Sequence, residues 1–434
     1  LPHVITLYPD QQVLRDRVCA TWSPTVRDVL MVLATAGGKT AIFSDIIRSF
    51  DAPAVAIAHR QEIVSQMSLA LARNGVRHRV IGPPAVARTC TSLHLNELQR
   101  NYVDPTGSVA VAGVDTLIRM DKADPWFKRV QLTVCDEAHH QTKKNKWGAA
   151  RQLFTNAWGL GVTATPCRAD GQGLGRHADG YFDTLVEGPS MRALIDAGRL
   201  SDYRLFEPKT SDLDLSSVPH SAGGDYSPKP LAAAVHKSSI VGDVVKHYLR
   251  IAPGKRGITF CVNVEEATIT AAAYRAAGVP AEVVSANTPD LLRAQLLRKL
   301  KAGELLQLVN VDLFGEGMDI PAIEVVSMAR PTESYSLYAQ QFGRALRTME
   351  GKEKALIIDH VGNRVRHGLP DRPRVWSLDR REKRNSNSGS DIPLKVCAQC
   401  TSPREAFLKV CPYCGYENVP AVRSSPAFVD GDLF

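Results

Sequence analysis

Short apolar runs alternate with helix-spaced stretches along most of the chain. Residues 29–33 (VLMVL), 54–59 (AVAIAH), 109–113 (VAVAG), 132–136 (LTVCD) and 160–165 (LGVTAT) are brief and bounded by polar or turn residues, as in strands covered on both faces. After the first of them, Ile42, Phe43, Ile46, Ile47 and Phe50 recur at helical spacing and form one apolar stripe. The pattern predicts a parallel α/β unit. A second series follows at 258–262, 281–285, 305–310, 323–328 and 355–359, with Leu291, Leu292, Leu296, Leu297 and Leu300 as a helical stretch between. Two α/β lobes of similar build are therefore expected.

Between them, residues 211–230 are rich in Ser, Pro, Gly and Asp and read as a linker or a loop insertion. Residues 379–393 are basic, then small and polar, and mark a second boundary. The expected division is a first lobe over 1–205, a linker or insertion over 206–235, a second lobe over 236–378, a basic and polar linker over 379–393, and a small unit over 394–434. That last unit is too short for a large core and needs a staple.

Composition adds four limits. With 434 residues, 44% apolar and 23% charged, the chain has the profile of a multidomain globular protein. A formal charge of +8 favours a polyanionic partner, although many enzymes are as basic. No run approaches 18 apolar residues and no N-terminal signal pattern is present, so no membrane association and a cytoplasmic location are expected. Of nine cysteines, Cys19, Cys90, Cys135, Cys167 and Cys261 are scattered and the rest cluster near the end, which points to thiols and a metal site in place of disulfides.

The candidate chemistry begins at "LATAGGKTAIF", residues 33–43. Gly38, Lys39 and Thr40 fit a phosphate-binding loop, where backbone N–H groups of Thr35, Ala36, Gly37 and Gly38 close around phosphates, lysine pairs with their charge and threonine holds Mg²⁺. Leu33 stands where the strict pattern has glycine, and Ala36 is a second departure. Any left-handed bend is open to Gly37 beside it, so a working loop of slightly altered geometry is expected. "VCDEAHH" (134–140) ends a buried strand with Asp136 and Glu137 at its C-terminal edge, placed to hold Mg²⁺ through water and to orient the attacking water.

D-E-A-H resembles motif II of superfamily 2 helicases, and the likeness continues in order through "LYPDQQ" (7–12), "AHRQEIVSQ" (58–66), "VAGVDTL" (111–117), "GVTATPCR" (161–168), "TFCVNVEEA" (259–267), "VNVDLFGEGMDIP" (309–321) and "QQFGRALR" (340–347). With the Cys-rich tail and "LIIDHVGN" (356–363), it looks most like the RadD branch of DEAH-type helicases, bacterial or phage, though with a shorter tail. The resemblance implies two tandem RecA-like lobes with ATP between them. It implies Gln11 as the adenine reader, Arg347 as the arginine finger, Gln340 and Arg344 as phosphate sensors, and Gly317 and Asp319 near the ribose and the finger. His139, Thr163 and Thr165 are implied as coupling residues, and His59, Arg60, Asp115, Thr116, Asn263 and Thr288 as nucleic-acid contacts. Single-stranded or branched DNA is the implied partner, with RNA the alternative and replication or repair proteins as associates. A third alternative, a non-hydrolysing nucleic-acid scaffold, has only Ala36 in its favour. Lys143, Lys144 and Lys146 are open between a phosphate track and a solvated loop.

In the tail, Cys397, Cys400, Cys411 and Cys414 form two C-x₂-C knuckles, the donor set of a closed structural Zn²⁺ ribbon. Whether the ribbon grips nucleic acid or protein is open. The neighbouring Arg380, Arg381, Lys383 and Arg384 favour nucleic acid.

Overall fold

A computed structural model describes residues 5–208, 212–238, 240–312, 323–380 and 393–417. The first sheet contains β1 (Asp28–Val32), β2 (Ala54–Ala58), β3 (His78–Ile81), β4 (Val109–Gly113), β5 (Leu132–Asp136), β6 (Trp158–Thr163) and β7 (Thr184–Glu187). Its order is β3-β4-β2-β5-β6-β1-β7, and every pairing is parallel. β1, β2 and β5 are buried at every residue because helices cover both faces. Helices α1 (Pro9–Thr21), α2 (Lys39–Phe50) and α3 (Gln61–Arg73) belong to this lobe. Along α2, Ile42, Phe43, Ile46 and Ile47 are the buried stripe, each contributing roughly 1.5–3 kcal/mol of burial.

β8 (Tyr203–Phe206), β9 (Gly257–Phe260), β10 (Ala281–Ser285), β11 (Gln307–Val311), β12 (Val325–Met328) and β13 (Ala355–Asp359) make the second sheet, all parallel, in the order β10-β11-β9-β12-β13-β8. The expected division at residue 205 falls within β8, whose backbone pairs with β13. β14 (Leu394–Val396) and β15 (Pro403–Glu405) form an antiparallel ribbon. The ribbon leans on β8: Glu207 N–H donates to Thr401 O at 2.7 Å, and Arg204 reaches Ser402 Oγ at 3.3 Å. It thereby covers an edge of the second sheet.

Two connections tie the lobes together beyond the direct link. The described part of the loop read as a linker or insertion, from residue 212 on, is a bridge. Gly224 lies so close to Ala169 that a Cβ there would meet its carbonyl at 2.2 Å, while Asp225 accepts from Thr332 Oγ1 at 2.8 Å and Glu333 N at 2.7 Å in the second lobe. The segment after the second lobe then returns to the first. Leu378 is buried in the first lobe's core, its carbonyl accepts from Gly175 N at 2.8 Å, and Asp379 and Arg380 pair with His177 and Asp179. Among the described residues no helix is long and apolar enough to cross a membrane.

Candidate nucleotide cleft and nucleic-acid face

The sheet order sets three loops side by side. β5, β6 and β1 are neighbours, with Asp136 opposite Val162 and Thr163 opposite Val32, so the loops after them open on one edge. A cleft of about 630 Å³ lies there, lined by Thr35, Ala36, Gly38, Lys39, Thr40, Asp136 and Glu137 from the first lobe and by Gln340, Arg344 and Arg347 from the second. The expected catalytic residues thus share one space.

The phosphate loop bends at Ala36 itself, with φ 65°, where the sequence leaves the left-handed role open between Ala36 and Gly37. Gly37 is needed for space instead, since a Cβ there would meet Leu33 Cγ at 2.8 Å. Gly38 takes φ 93° as the N-cap of α2. An alanine in this region costs roughly 1–2 kcal/mol because its Cβ crowds the following carbonyl. Lys39 Nζ rests on Leu33 O at 3.3 Å. Burial pulls the Lys39 pKa down, and Glu137 and Asp136 pull it back up. Gln11 is tied into the same framework: its Nε2 donates to Gly37 O at 2.9 Å and its Oε1 accepts from Tyr8 N at 3.0 Å. Asp10 pairs with Arg199 at 2.9 Å.

Glu137 stands at φ 48°, with its N–H on Asp136 Oδ1 at 3.0 Å. Its Oε2 accepts from Gln340 Nε2 at 3.2 Å across the cleft and lies 3.4 Å from His139 Nδ1. His139 Nδ1 is also 3.2 Å from Thr163 Oγ1, Thr163 meets Thr165, and Thr165 Oγ1 lies 2.6 Å from Ser336 Oγ on the second lobe. The three expected coupling residues therefore form one polar chain between lobes. Ser336 was missed in the sequence, yet it sits four residues before Gln340 and eight before Arg344, on one face of the helix Tyr335–Arg344. Gly343 on that helix faces Thr35, where a Cβ would approach to 2.7 Å. Lys352 was also missed: its Nζ donates to Ile323 O and Arg347 O, both at 2.8 Å, and to Ala345 O, closing the turn that carries Arg347. Burial lowers its pKa to about 8. Gly317 and Asp319 lie outside the described residues, as do Arg381, Lys383 and Arg384.

The expected nucleic-acid contacts are gathered less closely. Arg60 Nε meets His59 Nε2 at 3.2 Å, and its guanidinium donates to Asp312 O of the second lobe at 2.9 Å. Asp115 is held by Lys146 at 2.9 Å, with Thr116 half-buried beside it. Asn263 caps the helix Val264–Ala276 by accepting from Glu266 N at 2.7 Å, and Thr288 Oγ1 accepts from Ser285 N at 3.0 Å. Lys143 is spent on Arg176 O and Ala178 O, which favours a structural role over a phosphate track.

At the tail, Cys397 and Cys414 sulfurs lie 3.8 Å apart and those of Cys400 and Cys411 3.7 Å apart, with all four within 4.8 Å of one another. A tetrahedron with Zn–S bonds of ~2.3 Å has S–S edges of about 3.8 Å, so the donor set fits zinc. Burial works against thiolate formation at Cys397, but backbone N–H groups of Cys400 and Gln399 bring its pKa down to about 6.

Two parallel-sheet lobes with a polar cleft between them define the class as tandem RecA-like domains. Residues 4–168 match the family model for the res subunit of type III restriction enzymes, and residues 240–349 match the helicase conserved C-terminal domain. One match falls in each lobe, and together they support a helicase-type motor. It is 32% identical over 293 residues to a 51.5 kDa protein of a Lactococcus phage, covering 67% of this chain and 62% of that one. It is 29% identical over 350 residues to the candidate ATP-dependent helicase IRC3 of Saccharomyces cerevisiae, covering 76% and 48%. The chain thus spans about half to three-fifths of these relatives' lengths. A fragment of a candidate HsdR subunit of a type I restriction enzyme from Vibrio vulnificus shares the fold at TM-score 0.60 and 20% identity, covering 83% and 65%.

Proposed function

We propose that this chain is a DNA-stimulated ATP hydrolase that moves on or remodels single-stranded or branched DNA, of the RadD-like branch of DEAH-type helicases. The observation that carries the reading is the contact between Gln340 of one lobe and Glu137 of the other, inside a cleft that also holds Lys39, Thr40, Arg344 and Arg347.

In this reading Lys39 and the backbone of residues 35–38 bind the β- and γ-phosphates, and Thr40 and Asp136 hold the Mg²⁺ that neutralises them. Glu137 orients the attacking water and takes its proton. Gln340 and Arg344 sense the γ-phosphate, and Arg347 meets the charge that builds on it, a contribution of ~10³–10⁵ in rate. Gln11 links adenine occupancy to the loop through Gly37. The chain from Glu137 through His139, Thr163 and Thr165 to Ser336 carries the state of the nucleotide to the lobe interface. His59, Arg60, Asp115, Thr116, Asn263 and Thr288 mark the proposed strand path, and Gly317 and Asp319 the ribose side.

The RadD resemblance favours DNA, but the same fold occurs in the enzyme LlaBIII bound to DNA and in Dbp5 bound to RNA. ATP hydrolysis measured with single-stranded DNA, forked DNA and RNA decides the substrate. The reading expects stimulation of at least tenfold by DNA and little by RNA; the reverse order contradicts the DNA assignment. One zinc per chain by native mass spectrometry is expected for the ribbon.

A further inference from the structure

The segment that leaves the second lobe after the helix Asn363–His367 runs back across the lobe interface, and its residues 368–380 carry no helix or strand. Three points hold it. At the near end the buried Asp371 accepts from Arg192 Nε of the first lobe at 3.0 Å and from the Tyr203 hydroxyl on β8 at 2.8 Å. In the middle, the Arg374 guanidinium stacks over the Tyr335 ring at 3.8 Å, and Trp376 lies between Tyr335 and the first lobe's core. At the far end Leu378 is buried in the first lobe, packed so closely on Gly173 that a Cβ there would meet Leu378 O at 2.7 Å.

These anchors differ in strength. Asp379 and Arg380 pair with His177 and Asp179 at the surface, where water and salt weaken such pairs. Leu378 is the firmer hold, because undocking it returns an apolar side chain to water. Asp371 is firm for another reason: a buried carboxylate that loses its arginine is left uncompensated. The two buried residues therefore fix the ends of a short tether. Seven peptide steps separate them, a span of at most about 25 Å, and Pro373 restricts how the chain between them bends. On this side the lobes can part no further than that without undocking one end.

The middle of the tether does not press on the phosphate loop. A cavity of about 270 Å³ separates them, with Thr35 and Thr165 on one wall and Pro370, Pro373 and Trp376 on the other. The far end does reach the hydrolytic side. Residues 173–180, which receive Leu378, are held by Lys143, whose backbone N–H donates to Asp179 O and whose Nζ donates to Arg176 O, both at 2.7 Å. Lys143 lies six residues after Glu137.

We propose that residues 368–380 are a clasp of limited length, anchored by Asp371 and Leu378, that holds the lobes closed before a strand is bound and so keeps Gln340 within reach of Glu137. Its effect on hydrolysis rests on the nucleic-acid-stimulated reading above; its mechanical part does not. Leu378 and Asp371 are positioning residues in this scheme, acting through the distance between the lobes.

The test is small-angle X-ray scattering of the full chain without nucleotide or DNA, alongside steady-state ATP hydrolysis. Leu378→Asp is expected to raise the radius of gyration by about 2 Å from the ~22 Å of a compact chain of this length. If about a tenth of the molecules then remain closed, the KM for ATP without DNA rises about tenfold. Saturating single-stranded DNA, which bridges the lobes, should bring that difference within about twofold. Gly173→Ala crowds Leu378 O without altering the core side chain, so it serves if the aspartate variant melts early, and Leu378→Met should behave as the wild type. Folded Leu378→Asp and Gly173→Ala proteins with the wild-type radius overturn the clasp. A KM shift that is equal with and without DNA also overturns it, because Leu378 would then act on the fold of its own lobe. A wild-type chain that does not hydrolyse ATP overturns the functional reading, and the scattering still decides the clasp.

Discussion

The two sides of the lobe interface gather their polar groups to different degrees. On the nucleotide side, Lys39, Thr40, Asp136, Arg344 and Arg347 converge on one open cleft, and Gln340 already reaches Glu137. On the other side, the polar groups are occupied by the protein itself: Arg60 on Asp312, Arg293 on Glu62, Asp115 on Lys146, and Asn263 on the start of its own helix. The candidate nucleotide cleft thus gathers its residues in one space, although Lys39 rests on Leu33 O and Glu137 on Gln340 and His139. On the proposed strand path, binding would exchange internal partners for phosphates. A strand that makes this exchange changes what holds the lobes together, which is a physical route from strand binding to hydrolysis.

The sharpest way to break the comparison is at the finger. Arg347→Ala is expected to lower turnover by ~10³ or more while fluorescent-nucleotide binding changes only a fewfold, because the charge it meets exists in the transition state. Equal losses in binding and turnover would show Arg347 acting on the ground state. Gln340→Ala removes the cross-cleft contact and should cost ~10² in stimulated turnover, with basal turnover less affected. A uniform loss would mean the contact does not report on the other face.

A smaller effect comes through Lys352. Its buried ammonium donates to three carbonyls, and its pKa lies near 8, below the ordinary 10.5. Below pH 8 it is charged and has a hydrogen for each; above pH 8 it is neutral and has two. Turnover should fall severalfold as pH rises through about 8, and Lys352→Met should start low and flatten that limb. The smallest change expected is at Ala36: replacement by glycine relieves the φ 65° backbone and should raise stability by about 0.5–1 kcal/mol in thermal melts, with turnover within about twofold. A loss of stability would mean that the loop's bend is not strained.

The same asymmetry governs what was legible in the sequence. Asp136 and Glu137 were readable because they close a buried strand whose apolar pattern is local, and Lys39 because a small-residue turn leads from such a strand into an amphipathic helix, whereas Gln340 and Arg344 came only through the motif resemblance. The zinc knuckles were readable from spacing alone. What was not readable depends on distant partners. β8 reads as ordinary chain until β13 arrives beside it, and Leu378 gives no sign that it returns to the first lobe. The sequence leaves the bend open between Ala36 and Gly37 because local sequence does not decide between neighbouring residues, and the folded loop puts it at Ala36. Asn263 was read as a strand contact although its spacing to Glu266 also fits a helix cap, the role it fills.

The central claim is that Glu137 drives hydrolysis in a cleft closed by the second lobe. The most direct measurement is steady-state ATP hydrolysis by the wild type and by Glu137→Gln, with and without single-stranded DNA, alongside nucleotide and DNA binding by both. The account predicts DNA-stimulated turnover in the wild type, a loss of at least a hundredfold in the variant, and binding that survives. A variant that hydrolyses at the wild-type rate would contradict it.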